Sequence, residues 1–406
     1  MIWTVSRLDR RADGMAVADD GSQARAWPVL PGEVISGEAT AGRIATPRIL
    51  TPSADRVVPP CPHYAACGGC SLMHAAPAFV AEWKGVQVRR ALAARGIEAR
   101  IGGIATSPEG ARRRAVFSAR RDREGLRLGF HARASDRITD IRECRVIRPD
   151  LVALLPVLRE IAALAPRGAE VSITVNATES GPDIMMTGAP APATARQAAL
   201  PPLMEAGGLA RLTWDDLTLT QRAPVLRMGP ARVTPPPGAF LQATAEGEAA
   251  LRAVVVKSLA GAARIADLFA GCGTFTLPLA RGAEVHAVEG LPAPLAALDA
   301  AWRATSGLRR VTTETRDLAA RPLMADELAG FDAAVIDPPR TGAAAQAAHL
   351  AAARLERVVW VSCDPVTFAR DAATMIAGGW RIGPVWVVDQ FRHSPHVETV
   401  TCLTRG

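Results

Sequence analysis

The segment Ile265–Glu289, IADLFAGCGTFTLPLARGAEVHAVE, constrains the fold more than any other part of the chain. Its opening apolar run predicts a strand buried on both faces, and Gly271 and Gly273 predict a tight turn that leads into a helix. A second strand follows and ends on Glu289, a carboxylate suited to bind the two hydroxyls of a ribose. This strand–turn–helix–strand unit is typical of a doubly wound α/β sheet.

The glycine turn also indicates a ligand class. The fingerprint that binds a dinucleotide pyrophosphate has a third glycine, where this chain has Thr276. The pattern therefore favours an adenosyl ligand without a diphosphate, S-adenosylmethionine rather than NAD. A purely structural turn is the alternative, because a glycine-x-glycine pair is a weak signal.

The 406 residues allow three domains. Glycines and prolines separate short alternating runs in residues 1–55 and predict a small β-barrel of the oligonucleotide-binding type, with a poorly ordered arm as the alternative. Residues 56–235 predict a central α+β domain. Residues 236–406 predict a doubly wound catalytic domain with seven strands, near 265–269, 284–288, 309–314, 332–337, 357–363, 380–388 and 397–403.

Basic residues are concentrated in the N-terminal part of the chain. The net charge is +7, and residues 1–150 hold 24 basic and 16 acidic residues. Arginines recur from Arg112 to Arg148, and we interpret them as contacts to RNA phosphates rather than as an ordinary solvated surface. No apolar run of about 18 residues and no signal peptide is evident, so we expect a cytoplasmic protein without a membrane partner.

The cysteines predict a metal centre. Three of them form a C-x5-C-x2-C array, and one more distant cysteine is within reach as a fourth ligand: Cys61, Cys67, Cys70 and Cys144. Three clustered thiolates and a distant one suit a [4Fe–4S] cluster. A zinc site that also uses His63 or His74 is the alternative.

Three further residues are expected to meet at the carboxyl ends of the parallel strands, where ligands bind in such sheets. Asp337 ends the strand in FDAAVIDPPRTG, and Cys363 ends the next strand in RVVWVSCDP. The final strand, HVETVTCL, follows a short connection and should run antiparallel, so its first residues, including Glu398, lie at the same edge. A thiol and two carboxylates therefore converge on the cofactor pocket.

This set of residues suits methylation of carbon 5 of a pyrimidine. Addition of the Cys363 thiolate to carbon 6 activates carbon 5, and Glu398 is placed to remove the carbon 5 proton afterwards. The alternative for Cys363 is a small apolar residue at a strand end. Methylation of an exocyclic amine is disfavoured because Arg340 follows the two prolines, and a DNA cytosine-5 enzyme because Cys363 precedes Pro365.

The motifs AFLQ, DLFAGCGTFTLPLA, DPPRTG, VSCDP and HVETV, together with the four cysteines, resemble the bacterial RNA uracil-5-methyltransferases, in particular the iron–sulfur enzymes that act on 23S ribosomal RNA. The resemblance implies an N-terminal TRAM-type barrel, with Cys363 as the nucleophile and Glu398 as the base. It also implies S-adenosylmethionine contacts from six residues: Gln242, Phe269, Thr274, Glu289, Asp317 and Asp337.

The expected substrate is a uridine of 23S ribosomal RNA, and the expected state is a monomer. The alternatives are the same chemistry on a transfer RNA uridine, or a non-catalytic RNA-binding iron–sulfur protein. Departures from the family pattern are small: Ala270 replaces a common cysteine, and Thr274 stands where asparagine is frequent.

Overall fold

The structure is a computed structural model that describes residues 1–405. Its N-terminal unit is a curled sheet with the strand order β5-β6-β3-β2-β1-β4-β7. Alternate residues of these strands face a small core around Trp3, Val5 and Ile35. The prediction of a small β domain is confirmed, with seven short strands in place of five: β1 (Ile2–Leu8), β2 (Gly14–Val17), β3 (Gln23–Ala26), β4 (Val34–Ser36), β5 (Ala39–Thr40), β6 (Arg43–Ile44) and β7 (Arg48–Thr51).

The cysteine-containing segment then leads into helix α1 (Pro77–Ala93) and strand β8 (Ile101–Thr106). A proline at the first helical position begins α1, where its missing N–H costs nothing. Strand β8 belongs to the C-terminal sheet described below, and α1 packs against that sheet.

The central unit is a sheet of seven strands in the order β11-β10-β9-β12-β13-β14-β15, with helices packed on one core. Strands β9 and β10 form an antiparallel hairpin. The elements are β9 (Arg114–Arg121), β10 (Leu126–His131), β11 (Ile138–Asp140), α2 (Pro149–Val152), α3 (Leu155–Ala162), β12 (Glu170–Asn176), β13 (Asp183–Thr187), α4 (Thr194–Gln197), α5 (Leu200–Ala206), β14 (Arg211–Trp214) and β15 (Leu217–Thr220).

A two-stranded ribbon, β16 (Leu226–Met228) and β17 (Ala231–Val233), precedes the last unit. Strands and helices then alternate, as doubly wound sheets require. They are α6 (Ala245–Ser258), β18 (Arg264–Leu268), α7 (Thr276–Leu279), β19 (Glu284–Glu289), α8 (Pro292–Arg303), β20 (Val311–Thr315), a 3-10 turn (Glu327–Gly330), β21 (Ala333–Ile336), α9 (Ala344–Ala352), β22 (Arg357–Ser362), α10 (Pro365–Ala377), β23 (Trp380–Ile382), β24 (Val385–Asp389) and β25 (Glu398–Arg405).

The C-terminal sheet has the strand order β20-β19-β18-β21-β22-β25-β24-β8, and β23 pairs with β25. Strands β18 to β22 are parallel, and β25 is antiparallel to both β22 and β24. Apolar cores cover both faces, which explains why β21 is buried along its whole length. The α/β fold class is therefore confirmed.

Two features of this sheet differ from the expectation. The strand expected at 380–388 is divided into β23 and β24, which lie on opposite sides of Gly383. In addition, β8 pairs in parallel with β24, and α1 packs its Val88 and Leu92 into the same core. Residues 77–106, assigned to the central domain from the sequence, therefore extend the C-terminal sheet. No helix among residues 1–405 combines the length and the apolar character that crossing a membrane demands.

Candidate active site and cysteine pocket

Four of the six expected cofactor residues lie at or just after the carboxyl ends of four adjacent parallel strands. Phe269 comes directly after β18 and has a φ of 63°, in the left-handed region that is unusual for a bulky residue. Glu289 ends β19, Asp317 follows β20, and Asp337 follows β21. Since parallel strands end at the same edge of a sheet, these residues form one row above the glycine turn.

The glycine turn is held by the acid that ends the second strand. Gly271 donates its backbone N–H to Glu289 Oε2 at 3.1 Å, and Gly271 and Gly273 have φ angles of 54° and 96°. A side chain at Gly273 would meet Leu298 within 3.0 Å, so the close packing of the turn against α8 requires glycine there. Thr274 follows the turn and is partly exposed.

Asp267, in the centre of β18, was not anticipated from the sequence. Its side chain is fully buried, and Thr276 donates its hydroxyl to Asp267 Oδ2 at 2.5 Å. The other carboxylate oxygen has no hydrogen-bond partner among the described residues. Burial raises the pKa of Asp267 to about 7, with Asp337 and Glu289 adding to the shift. The sequence signal that could have identified Asp267 is an acidic residue within an otherwise apolar strand.

Cys363 directly follows β22, and Glu398 is the first residue of β25, which is antiparallel to β22. The last recorded pair of the two strands is Ser362 with Thr399, so Cys363 and Glu398 are the residues next to that pair. Asp364, the next residue, caps α10 by accepting hydrogen bonds from the first turn. The antiparallel direction expected for the last strand therefore brings the thiol and the carboxyl group together.

Burial makes both groups weak acids. Burial, together with the charges of Glu398 and Asp337, raises the pKa of the Cys363 thiol to about 12, whereas Arg340 opposes the shift. Glu398 is 3% exposed, and burial, followed by the charge of Asp337, raises its pKa well above its ordinary value. Burial likewise raises the pKa of Asp337 to about 7. A carboxylate in such a site is a strong proton acceptor once it is ionised.

Gln242 is hydrogen-bonded to Asp337, which lies beside Cys363 and Glu398. It is 3% exposed, and its Nε2 donates to Asp337 Oδ2 at 3.3 Å. Its backbone carbonyl accepts a hydrogen bond from Arg113 Nε at 3.0 Å, and Arg113 also forms a buried ion pair with Glu248 of α6. Gln390, which contacts Gln242, is the second functional residue that was missed from the sequence.

The four expected cysteines all line one cavity of about 580 Å³ between the three units of the chain. Burial, together with the neighbouring thiolates of Cys144, Cys67 and Cys61, raises the pKa of the Cys70 thiol to about 12. Such mutual effects require that the four sulfurs lie near one another. Among residues 1–405, however, no group of three or more His, Cys, Asp or Glu side chains is gathered as a site for a metal ion.

The histidines of the zinc alternative are engaged elsewhere. His74 is 1% exposed; its Nδ1 lies 2.6 Å from the Tyr64 hydroxyl, and its Nε2 lies 3.2 Å from the carbonyl of Val29. His63 Nε2 accepts the backbone N–H of Arg142 at 3.2 Å. Both ring nitrogens of His74 and the Nε2 of His63 are therefore engaged by other groups, while His63 lines the same cavity as the cysteines.

The arginine run at 112–114 is not a solvated surface. Arg112 is enclosed among Cys70, Cys144 and Phe391, with its guanidinium 5.8 Å from the centre of the Phe391 ring, and burial lowers its pKa. It forms no ion pair within the described chain. Arg123, Arg137 and Arg142 are exposed instead, and no ion pair involves them in residues 1–405. Phosphate contacts are therefore expected from these residues rather than from Arg112 and Arg113.

The fold, the glycine turn and the row of carboxylates define an S-adenosylmethionine-dependent methyltransferase. The family model described as tRNA (Uracil-5-)-methyltransferase matches residues 314–406. A relative from Brucella suis, named an uncharacterized RNA methyltransferase, is 42% identical over 99% of this chain and 97% of its own length. The 23S rRNA (uracil(1939)-C(5))-methyltransferase RlmD of Halomonas elongata is 34% identical over 86% of this chain and 77% of its own length.

A solved structure has the same overall fold. The Pyrococcus abyssi tRNA (uracil-54, C5)-methyltransferase, in complex with S-adenosyl-L-homocysteine, superimposes with a TM-score of 0.77 over 100% of both chains, at 20% identity. The chain belongs to the RNA uracil-5-methyltransferase family. It is a S-adenosylmethionine-dependent enzyme that modifies RNA, as the sequence motifs predicted.

Proposed function

We propose that the enzyme methylates carbon 5 of a uridine through a covalent intermediate on Cys363, with Glu398 as the base. The position of Cys363 and Glu398 beside the last recorded pair of β22 and β25, next to Asp337 at the cofactor edge of the sheet, carries this proposal. Among the free cysteines, Cys272 is buried in the glycine turn, and Cys402 lies further along β25, opposite Val359. Cys363 alone follows the carboxyl end of a strand of this sheet.

The proposed reaction has two stages. The Cys363 thiolate adds to carbon 6, and the electron pair at carbon 5 attacks the sulfonium methyl group, which leaves S-adenosylhomocysteine. Glu398 then takes the proton from carbon 5, the bond between carbon 6 and sulfur breaks, and the thiolate is regenerated. Both ionisable groups must be deprotonated and both have raised pKa values, so we expect the rate to increase with pH above neutrality.

A uridine of 23S ribosomal RNA is the proposed target. The Halomonas relative named for that substrate is 34% identical over most of the chain, which supports ribosomal RNA. The competing target is a transfer RNA uridine. Methyl transfer to transcripts of 23S ribosomal RNA and of transfer RNA, measured side by side with labelled cofactor, distinguishes the two.

We also propose that Cys61, Cys67, Cys70 and Cys144 hold a [4Fe–4S] cluster. The four cysteines line a common cavity, and their thiolates would hold the cluster there. Arg112 is partly buried beside Cys70 and Cys144 and lacks a carboxylate partner, so its charge would offset that of an anionic cluster. The cluster, when bound, would tie the cysteine segment to the central unit.

The covalent mechanism is tested with RNA that carries 5-fluorouridine at the target. Fluorine cannot leave as a proton does, so the methylated enzyme–RNA complex should persist on a denaturing gel. Cys363→Ala should form no complex and show no turnover, whereas Cys402→Ala serves as the matched control and should behave as the wild type. A complex that forms normally on Cys363→Ala would refute the assignment, and Cys272 would then be the next candidate.

A further inference from the structure

Two exposed side chains are hydrogen-bonded to each other at the edge of the sheet that holds Cys363. Arg340, which follows β21, donates from Nη2 to the Nδ1 of His396, which precedes β25, at 3.1 Å. The strand order here is β21-β22-β25, and Cys363 follows β22. Because β25 is antiparallel to β22, it begins at the edge where β21 and β22 end. The hydrogen bond therefore joins the two loops that lie on either side of the end of β22.

The backbone of Arg340 is held against the helix that starts beside Cys363. Thr367, in the first turn of α10, donates its hydroxyl to the carbonyl of Arg340 at 3.2 Å. The cap of the same helix is Asp364, the residue after Cys363. A Cβ added to Gly342, which has a φ of 73°, would lie 2.5 Å from side-chain atoms of α10. The loop that carries Arg340 is thus packed tightly on α10, which fixes its position relative to Cys363.

The loop that carries His396 is anchored as well. The imidazole ring meets the ring of Phe391 edge to face, with 5.9 Å between the ring centres. Two backbone N–H groups of the cysteine segment, those of Ser71 and Leu72, donate to the carbonyl of His393 in the same loop at 2.7 and 2.9 Å. Both partners of the hydrogen bond are therefore carried by loops with fixed positions.

The partner of Arg340 is a neutral group. A guanidinium can only donate hydrogen bonds, so the Nδ1 of His396 accepts, and the neutral ring carries its proton on Nε2. Partial burial, followed by the positive charges of neighbouring groups, Arg340 first among them, lowers the pKa of His396 to about 4. No ion pair within residues 1–405 involves Arg340. The histidine thus orients the guanidinium without cancelling its charge, which a carboxylate in the same place would do.

We propose that His396 is a positioning residue that holds Arg340 as a free cation at the entrance of the active site, where the guanidinium binds the backbone phosphate of the target uridine. The proposal rests on the proposed covalent mechanism, which brings the uracil ring to Cys363. The charged phosphate stays in water when the base enters, and Arg340 and His396 are both exposed there. The bond to His396 uses one of five N–H donors, which leaves enough for the bidentate contact that arginine makes with phosphate.

Three substitutions of His396 separate the position of the guanidinium from its charge. In His396→Asn the side-chain oxygen can replace Nδ1 as a neutral acceptor, so RNA affinity should stay within about twofold of the wild type. In His396→Ala the guanidinium keeps its charge but must be ordered on binding. RNA should then bind about two- to tenfold more weakly, with an unchanged salt dependence.

The third substitution, His396→Asp, places a carboxylate beside Arg340 and cancels its charge. RNA should bind at least about tenfold more weakly, because a charge-assisted contact is lost. The plot of log affinity against log salt concentration should also become less steep by about 0.7–0.9, the value for one phosphate contact. Arg340→Met should give the same change of slope, and the two substitutions together should give no further change.

The measurement is equilibrium binding of the full chain to the RNA transcript that the wild type methylates, between about 50 and 200 mM salt. The affinity for S-adenosylhomocysteine, measured by calorimetry, should stay constant and so exclude misfolding. Ala260→Asp is the matched control for charge. Ala260 is exposed and precedes β18, at the opposite edge of the sheet, so this variant has the same net charge as His396→Asp and should keep the wild-type slope.

Two kinds of result would overturn the proposal. One is a wild-type salt slope in His396→Asp and Arg340→Met, or an equal loss of slope in Ala260→Asp. The other is an RNA affinity of His396→Asn as low as that of His396→Ala, which would mean that the acceptor is irrelevant. A wild type that forms no adduct with 5-fluorouridine RNA would instead refute the covalent mechanism, so the two failures are distinguishable.

Discussion

The ion pair between Lys84 and Asp389 offers the sharpest test of how the structure is stabilised. Both side chains are almost completely buried, at 0% and 1% exposure. Lys84 Nζ also donates to the carbonyl of Phe391 at 3.1 Å, and the N–H of Phe391 donates to Asp389 at 3.2 Å. The pair therefore fixes the start of the loop that carries Gln390, and it attaches α1 to the C-terminal sheet.

Removal of one partner should lower the free energy of unfolding, because the charge of the other partner stays buried without an opposite charge beside it. For Lys84→Met we expect a decrease of about 3–5 kcal/mol in the free energy of unfolding. The double variant Lys84→Met/Asp389→Leu replaces the pair by apolar side chains of similar size. Such replacements are often neutral or stabilising, so the double variant should be more stable than Lys84→Met by about 3 kcal/mol or more.

Urea unfolding of the full chain, followed by circular dichroism, measures both effects. Arg227→Met is the control, because the pair of Arg227 with Glu179 is exposed at 55% and 35% and should contribute less than about 1 kcal/mol. A decrease below about 1 kcal/mol in Lys84→Met, or strictly additive effects of the two substitutions, would show that the buried pair does not act as described.

Three other predictions follow from the remaining features. Protein purified anaerobically should be brown with about four irons per chain, and Cys144→Ser should lose the colour; stoichiometric zinc without iron would contradict the cluster. Replacement of Arg123, Arg137 and Arg142 by alanine should weaken RNA binding and flatten its salt dependence while cofactor affinity stays constant, and an unchanged RNA affinity would contradict phosphate contact. Burial lowers the pKa of His74 to about 4, below its unfolded value of 6.5, so the folded state resists protonation and loses stability as the pH falls from 6.5 towards 4. Urea unfolding at several pH values gives the slope of the free energy of unfolding against pH. Between pH 4 and 6.5 this slope should be smaller in His74→Gln than in the wild type by up to about 1.4 kcal/mol per pH unit, and equal slopes would contradict the assignment.

The sequence was sufficient for those parts of the fold that depend on local patterns. The glycine turn, the strands that end on Glu289, Asp337 and Cys363, and the antiparallel last strand follow from periodicity and short connections. Strand β8 could not be anticipated, because IGGIAT is rich in glycine and its partner β24 lies far along the chain.

Polar contacts in the interior could not be predicted from the sequence either. Arg113 reads as one member of a basic run, and only the fold brings it to Glu248. Gln390 looks like an ordinary loop residue, since its role depends on Thr244 and Gln242, which are distant in sequence. The shared edge of Phe269, Glu289, Asp317 and Asp337 could be predicted because each ends or closely follows a strand, whereas residues that contact them from behind carry no such positional signal.

The pairing of β8 with β24 has a consequence for the synthesis of the protein. The N-terminal and central sheets use strands that are close together in the chain, so each can form as soon as its own residues have left the ribosome. Helix α1 and β8 leave the ribosome early, but their partners in α10 and β24 are made near the end of the chain. The apolar face of α1 therefore stays in water during most of translation, a period in which a chaperone has a defined surface to protect.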